Sequence, residues 1–363
     1  MDLEVLATKL SNNLKTCIGY PLNNSYDFSE IVNILNIPIN NVGSPYILGI
    51  YKTNTKDIEI EIIKYFADLW GLDKDSIFSY LTSGGTESNM QGLYIGRESL
   101  SDNTVFYTSE DSHYSIFKIA RILKLNLCLI KSYENGEINY EDFEEQLLLN
   151  LNKDVLINLN LGTTIKCAFD NPNKIHDILE KYNINKNNIY IHCDAALMGF
   201  PLCFMENDIS FKKHINSMCI SLHKFLGIPF PCSIFLMEKD FLSIARLKNN
   251  IEYIASDDCT ITSSRNGHAP IFIKHILEKK SHEDFKKEVE TCINNADYLV
   301  SNIPNSWKNI NSFTVIFPKP NKLICDKYQL AIEKDNAHII CMQHVTREIL
   351  DKFITDYLIY INK

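Results

Sequence analysis

Ile220-Ser221-Leu222-His223-Lys224-Phe225 sets a hydroxyl, an imidazole and a primary amine into an otherwise apolar run. The residues just before it, Met218 to Ile220, predict a buried strand. An amine at the end of such a strand loses hydration, which disfavours its charged form and frees its lone pair to attack a carbonyl. Lys224 is therefore a candidate Schiff-base lysine. Most lysines beside apolar runs carry their ammonium out to water, so the stretch gains meaning only from its companions.

Several companions are present. Leu81-Thr82-Ser83-Gly84-Gly85-Thr86-Glu87 places two glycines and a hydroxyl before a predicted helix, Met90 to Arg97. Backbone amides at such a helix start can cradle a phosphate, although a glycine pair is often just a turn. No GK[ST] follows, so this is not a Walker loop. Ser112-His113-Tyr114-Ser115 opens another helix, Leu161-Gly162-Thr163-Thr164 ends a strand, and Ile189 to Asp194 predicts a strand ending on a carboxylate.

The elements that must position these residues alternate. Strands are expected at Thr104–Thr108, Leu127–Lys131, Val155–Asn160, Ile189–Asp194 and Cys232–Leu236, with helices at Thr55–Leu72, Ser112–Leu123, Tyr140–Leu149 and Asn173–Tyr182. Continuous apolar strands joined by helices predict a mainly parallel sheet covered on both faces, an α/β fold. Ligands of such sheets bind at the carboxyl ends of the strands. Thr86, His113, Thr163, Asp194 and Lys224 all fall at or just beyond candidate strand ends. Beyond them, Asp258–Pro270 reads as a polar loop, Phe285–Leu299 as a long amphipathic helix, Phe313–Phe317 and His338–Met342 as strands, and Glu348–Tyr360 as a last helix. We expect an N-terminal segment over 1–50, a large domain over 51–245 and a smaller α+β domain over 246–363. The first of these carries an amphipathic helix (Leu3, Leu6, Ala7, Leu10, Leu14) and the turns Gly19-Tyr20-Pro21 and Asn40 to Pro45.

Together these residues are the parts of a site for pyridoxal 5'-phosphate (PLP). Lys224 would hold it. Asp194 would pair with the pyridine nitrogen and keep the ring an electron acceptor, and the small side chain of Ala196 would let a flat ring lie close. Gly85, Thr86, Ser221 and His223 are candidate phosphate donors, Thr163 at its strand end is a further cofactor-binding candidate, and His113 would stack on the ring. Lys224, His223 or Tyr253 could donate the proton that completes a reaction at the substrate's α-carbon.

The motifs Thr82 to Glu87, His113-Tyr114-Ser115, Gly162-Thr163-Thr164, His192-Cys193-Asp194-Ala195-Ala196-Leu197 and His223-Lys224 resemble those of group II PLP-dependent decarboxylases. Gly19-Tyr20-Pro21, Ile39 to Gly43, Phe230-Pro231-Cys232 and Ser264 to Pro270 narrow the likeness to bacterial histidine decarboxylases and plant serine decarboxylases. The resemblance implies the aspartate aminotransferase fold (fold type I). It also implies a homodimer with active sites at the subunit interface, into which Arg265 and its neighbours would face. The implied activity is α-decarboxylation of an amino acid, histidine or serine first, through a Lys224 Schiff base. Aldol cleavage, transamination or a silent PLP-binding relative are the alternatives. Leu222, Ser263, Cys167 and Ser44 depart from the family's usual small residue, glycine, glycine and aspartate, which leaves the substrate open.

Composition sets the outer bounds. With 363 residues, 45% hydrophobic and 22% charged, the chain is an ordinary globular protein with a substantial core. A net charge of −9 with no basic block predicts no nucleic-acid surface. No apolar run reaches the ~20 residues of a membrane span, and the acidic start does not resemble a signal peptide. Eleven scattered cysteines without CxxC spacing fit free thiols in a reducing cytoplasm better than disulfides or a metal site.

Overall fold

The apolar segments pair into one seven-stranded sheet. Outside it lies the short β1 (Asn40–Val42); its own strands are β2 (Ile77–Thr82), β3 (Thr104–Ser109), β4 (Leu127–Ile130), β5 (Asp154–Asn160), β6 (Ile189–Asp194), β7 (Ser217–Ser221) and β8 (Ser233–Glu238). This computed structural model describes residues 2–207, 209, 211, 215–239, 247 and 249–361. The strand order is β2-β8-β7-β6-β5-β3-β4. Strands β3 to β7 are parallel, whereas β8 runs antiparallel to both its neighbours.

Side chains alternate across this sheet. Tyr107, Ile157 and Ile191 face the larger apolar core, and Phe106, Leu156 and Tyr190 face a smaller one on the opposite side. Helix α1 (Leu3–Leu14) buries none of its residues in this chain. Helices α2 (Lys56–Leu69), α3 (Gly85–Ser99), α4 (Tyr114–Ile122), α5 (Tyr140–Leu148) and α6 (Pro172–Lys181) follow the predicted positions. Of these, α2, α5 and α6 contribute Ile62, Phe143 and Ile175 to the larger core, while α3 and α4 bring Leu93 and Ile116 to the smaller. Each such side chain contributes roughly 1.5–3 kcal/mol on leaving water.

The chain then departs from the α/β alternation, as expected. The expected domain boundary at 245/246 lies outside the described residues. Strands β9 (Asn249–Ile251) and β10 (Ser256–Asp258) form a hairpin. The stretch read as a loop over 258–270 contains β11 (Ser264–Asn266), which pairs antiparallel with β1 and sets Asn41 opposite Arg265. Three residues are too few for a period-2 signal, and the buried Arg265 side chain hides the strand further. A small antiparallel sheet, β12 (Thr314–Pro318), β13 (Ala331–Glu333) and β14 (Asn336–Ile340), follows in the order β12-β14-β13. The helix expected at 285–299 runs from His282 to Asn302, because Ser281 and Asp284 form a reciprocal capping box at its start.

Register brings the polar strand ends together. Asn160 pairs with Asp194, Asp194 with Cys219, Ser221 with Ser233, and Ser233 with Thr82. Because β8 runs antiparallel between β2 and β7, Thr82 reaches the same edge as the carboxyl ends of the parallel strands.

Candidate active site

A cavity of about 620 Å³ opens at that edge, and Gly85, Thr86, His113, Thr163, Asp194, Ala196, Ser221, His223 and Lys224 all line it. Lys224 sits in the turn between β7 and β8. Leu222 anchors that turn: its amide donates to Cys232 O (3.0 Å), its carbonyl accepts from Ile228 N (3.3 Å), and its side chain is fully buried in the larger core. Burial lowers the pKa of Lys224, while the Asp194 carboxylate pulls in the opposite direction.

Asp194 accepts hydrogen bonds from Asn89 Nδ2 (2.8 Å) and from the Ala196 amide (3.2 Å). Behind Asn89 lies His192, fully buried, with Nε2 3.0 Å from Asn89 Oδ1 and Nδ1 2.8 Å from Ser217 Oγ. Burial pushes this imidazole down to about 3, so it is neutral across the physiological range.

Helix α3, which carries Asn89, begins at Gly85 in the same cavity. Its first two amides have no carbonyl a turn earlier to bond. A Cβ on Gly85 would lie 2.9 Å from Ser221 Oγ and close the space between them. Gly84 stands at φ +152°, a conformation that glycine alone adopts easily.

His113 caps α4, its Nδ1 accepting from the Ser115 amide at 3.3 Å and lying 2.7 Å from Ser115 Oγ. Burial lowers its pKa and Asp194 partly offsets this, so the neutral ring keeps its proton on Nε2. His223 lies with Nδ1 2.8 Å from Cys232 O, and burial lowers its pKa as well. The Cys232 amide also donates to Nδ1 (3.2 Å), so Nε2 is the ring nitrogen that Cys232 leaves free to exchange a proton. Thr163 Oγ1 accepts from the Ala168 amide (3.0 Å), which leaves its hydroxyl proton for the cavity.

Tyr253 is not brought to this cavity within the chain: it is 78% exposed on a short turn. Arg265, expected to face a partner's site, is instead buried in an ion pair with Glu59 and donates to Gly43 O at 3.1 Å. None of the four departures from the family pattern lines the cavity. Cys167 takes φ +50°, the left-handed region that explains a glycine at this position in relatives. Ser44 Oγ accepts from Tyr46 N (3.2 Å), the turn an aspartate would also make, and Ser263 Oγ donates to Asp258 (2.6 Å).

Other cavity residues were not singled out as site candidates, Asn89, His338 and Tyr20 among them. Asn89 lies one turn beyond Thr86 on a predicted helix, a spacing that does place both on one face. His338 enters from β14, with Nδ1 3.0 Å from Ile165 O and Nε2 3.2 Å from Gly19 O. Tyr20 comes from the N-terminal segment. Tyr20 belongs to the Gly19-Tyr20-Pro21 turn already noted, whereas nothing local in the sequence marks His338.

A cavity that gathers a carboxylate, unpaired helix amides beside a hydroxyl, and a desolvated amine fits a flat cationic ring bearing a phosphate. On this α/β scaffold it defines a PLP-dependent enzyme of fold type I. The chain belongs to the pyridoxal-dependent decarboxylase family, whose conserved domain matches residues 54–329. Its cofactor is accordingly PLP, and its reaction is the decarboxylation of an amino acid. It is 39% identical to a histidine decarboxylase of Solanum lycopersicum over 98% of this chain and 89% of that protein. It is 40% identical to serine decarboxylase 3 of Oryza sativa subsp. japonica, over 93% and 77% of the respective chains. A histidine decarboxylase of Pseudomonas entomophila is 35% identical over 94% and 86%. Among solved structures, L-methionine decarboxylase of Streptomyces sp. 590 shares the fold, with a TM-score of 0.88 at 22% identity, covering 98% of this chain and 93% of that one.

Proposed function

We propose that this decarboxylase removes the α-carboxylate of L-histidine or L-serine, with Lys224 as the residue that carries the cofactor. The observation behind the residue assignment is the meeting of Lys224 and Asp194 in one cavity with the open start of α3. The choice of substrates rests on the names of the relatives.

Bound PLP supplies a protonated ring that takes up the electron pair left when CO₂ departs. The chain supplies everything else. The Gly85 and Thr86 amides, with the Ser221 hydroxyl and His223, would hold the phosphate. Asp194 would pair with the ring nitrogen, His113 would pack against the ring, and Ala196 and Thr163 would line the remaining space. Lys224, kept short of protons by burial, would be the amine that carries the cofactor. Lys224 Nζ or His223 Nε2 delivers the proton that replaces the carboxylate.

The full assembly is a homodimer in this reading. Leu3 and Val5 of α1 are 77% and 63% exposed, and Val32, Leu35, Leu48 and Ile50 add further bare apolar surface that a second copy would cover. Tyr253 keeps a role only if it reaches the partner's cavity across that interface. The three-part division at 50/51 and 245/246 suits such a dimer. A cytoplasmic location is supported by eleven free thiols, and among the described residues no helix is long and apolar enough to cross a membrane.

The test is direct. PLP-loaded protein is incubated with each standard amino acid, and released amine and CO₂ are measured by mass. Histamine or ethanolamine is expected, and Lys224→Ala should lower turnover by several orders of magnitude and remove the visible absorbance of lysine-bound cofactor. Full activity in that variant, or an aldol or transamination product without CO₂, refutes the reading.

A further inference from the structure

We propose that His192 is a positioning residue, fixing through Asn89 the direction in which Asp194 presents its carboxylate to the cofactor's ring nitrogen. This rests on the role given to Asp194 above.

The direction of every hydrogen bond in the relay follows from its end. Asp194 is acceptor-only, so Asn89 must turn its Nδ2 toward it, as the 2.8 Å contact has it. Asn89 Oδ1 then faces inward and needs a donor, which His192 Nε2 provides at 3.0 Å. A neutral imidazole has a single N–H. With Nε2 protonated, Nδ1 can only accept, and Ser217 Oγ donates to it at 2.8 Å. The chain Ser217 to His192 to Asn89 to Asp194 thus runs one way, and reversing any link sets two acceptors or two donors face to face.

The scaffold makes room for this relay. A Cβ on Gly92 would stand 2.3 Å from His192 Nδ1, so α3 gives up a side chain there to admit the ring. An apolar residue could fill the same space without needing partners. Burying an imidazole is costly unless its nitrogens are bonded, and here both bonds serve an arrangement that ends on Asp194. Without the His192 donor, Asn89 Oδ1 has no partner at its inner end, and the plane of the amide that faces Asp194 is held from one side alone.

The test uses the holoenzyme and three variants: His192→Leu, His192→Gln and Asp194→Asn. Three quantities are followed: the PLP dissociation constant, the pH midpoint of the bound cofactor's absorbance, and apoprotein melting. His192→Leu should weaken PLP binding by about tenfold or more, the scale of one hydrogen bond to a charged group. It should also raise the pH midpoint, because a ring that holds its proton less firmly draws less charge from the conjugated imine nitrogen, whose protonation the absorbance follows. His192→Gln, whose amide can donate to Asn89, should return both to within about threefold of the parent. Unchanged binding and midpoint in His192→Leu overturn the proposal. So does equal damage in the leucine and glutamine variants, which would mark a packing role. If His192→Leu does not fold, Ser217→Ala takes its place, with a smaller shift of the midpoint in the same direction expected and no shift counting against the relay. Asp194→Asn separates the two readings: if it binds PLP like the parent, the role of Asp194 itself is wrong, whatever His192 does.

Discussion

His192 and Asp194 are two residues apart on β6, and both are buried. The imidazole is pushed down to about 3 from its ordinary 6.5, whereas an unfolded chain would bind that proton near the ordinary value. Between these two values the unfolded state holds more protons, so stability falls as pH drops through that window. His192→Gln should flatten the fall by roughly one kcal/mol per pH unit. Urea midpoints of parent and variant at pH 7 and pH 5 measure the difference. At this scale the sequence was most legible where chemistry is rare: a lysine after an apolar strand, a carboxylate ending another, a histidine at a helix start. It was silent on Asn89, because an amide has no titration and no nucleophile to flag it. It was misleading on Arg265, since a charge in a polar stretch gives no sign that Glu59 waits in the interior.

That buried pair belongs to the scale of elements. Glu59 on α2 accepts from Arg265 of β11, from Asn41 Nδ2 of β1 (2.9 Å) and from the Leu81 amide of β2 (2.9 Å). One carboxylate therefore ties α2, the β1–β11 ribbon and the first strand of the sheet. Glu59→Gln leaves Arg265 charged and unmatched in the interior and should cost about 3–5 kcal/mol, read from urea denaturation. Replacing both by apolar residues, Glu59→Leu with Arg265→Met, should lose less than the single change. Long elements such as α2 and β6 could be read from periodicity because their apolar faces repeat. Strands β1 and β11 could not, being three residues each and stabilised by a contact more than two hundred residues distant in sequence.

For the molecule as a whole, α1 is the clearest sign of something missing from a single chain. Its leucines repeat at helical spacing, yet none is buried. Parent protein should elute as a dimer in size-exclusion chromatography, and Leu3→Lys with Val5→Lys should shift it toward monomer at micromolar concentration, by tenfold or more in the dissociation constant. The class of fold was legible because apolar strands alternate with helices. The order of strands was not, since no local pattern reveals that the eighth lies between the second and the seventh.

That order has a consequence for how the protein is made. Strand β2 pairs only with β8 in the sheet, and Thr82 meets Ser233 across 151 residues. As the polypeptide leaves the ribosome, the turn before α3, to which we assign the phosphate, has no edge to dock on until β8 has emerged. Closing a contact that remote is slow. A nascent chain ending before Ser233 has its parallel strands but not β8, so β2 is left without its partner, and the half-made sheet is the form most exposed to aggregation.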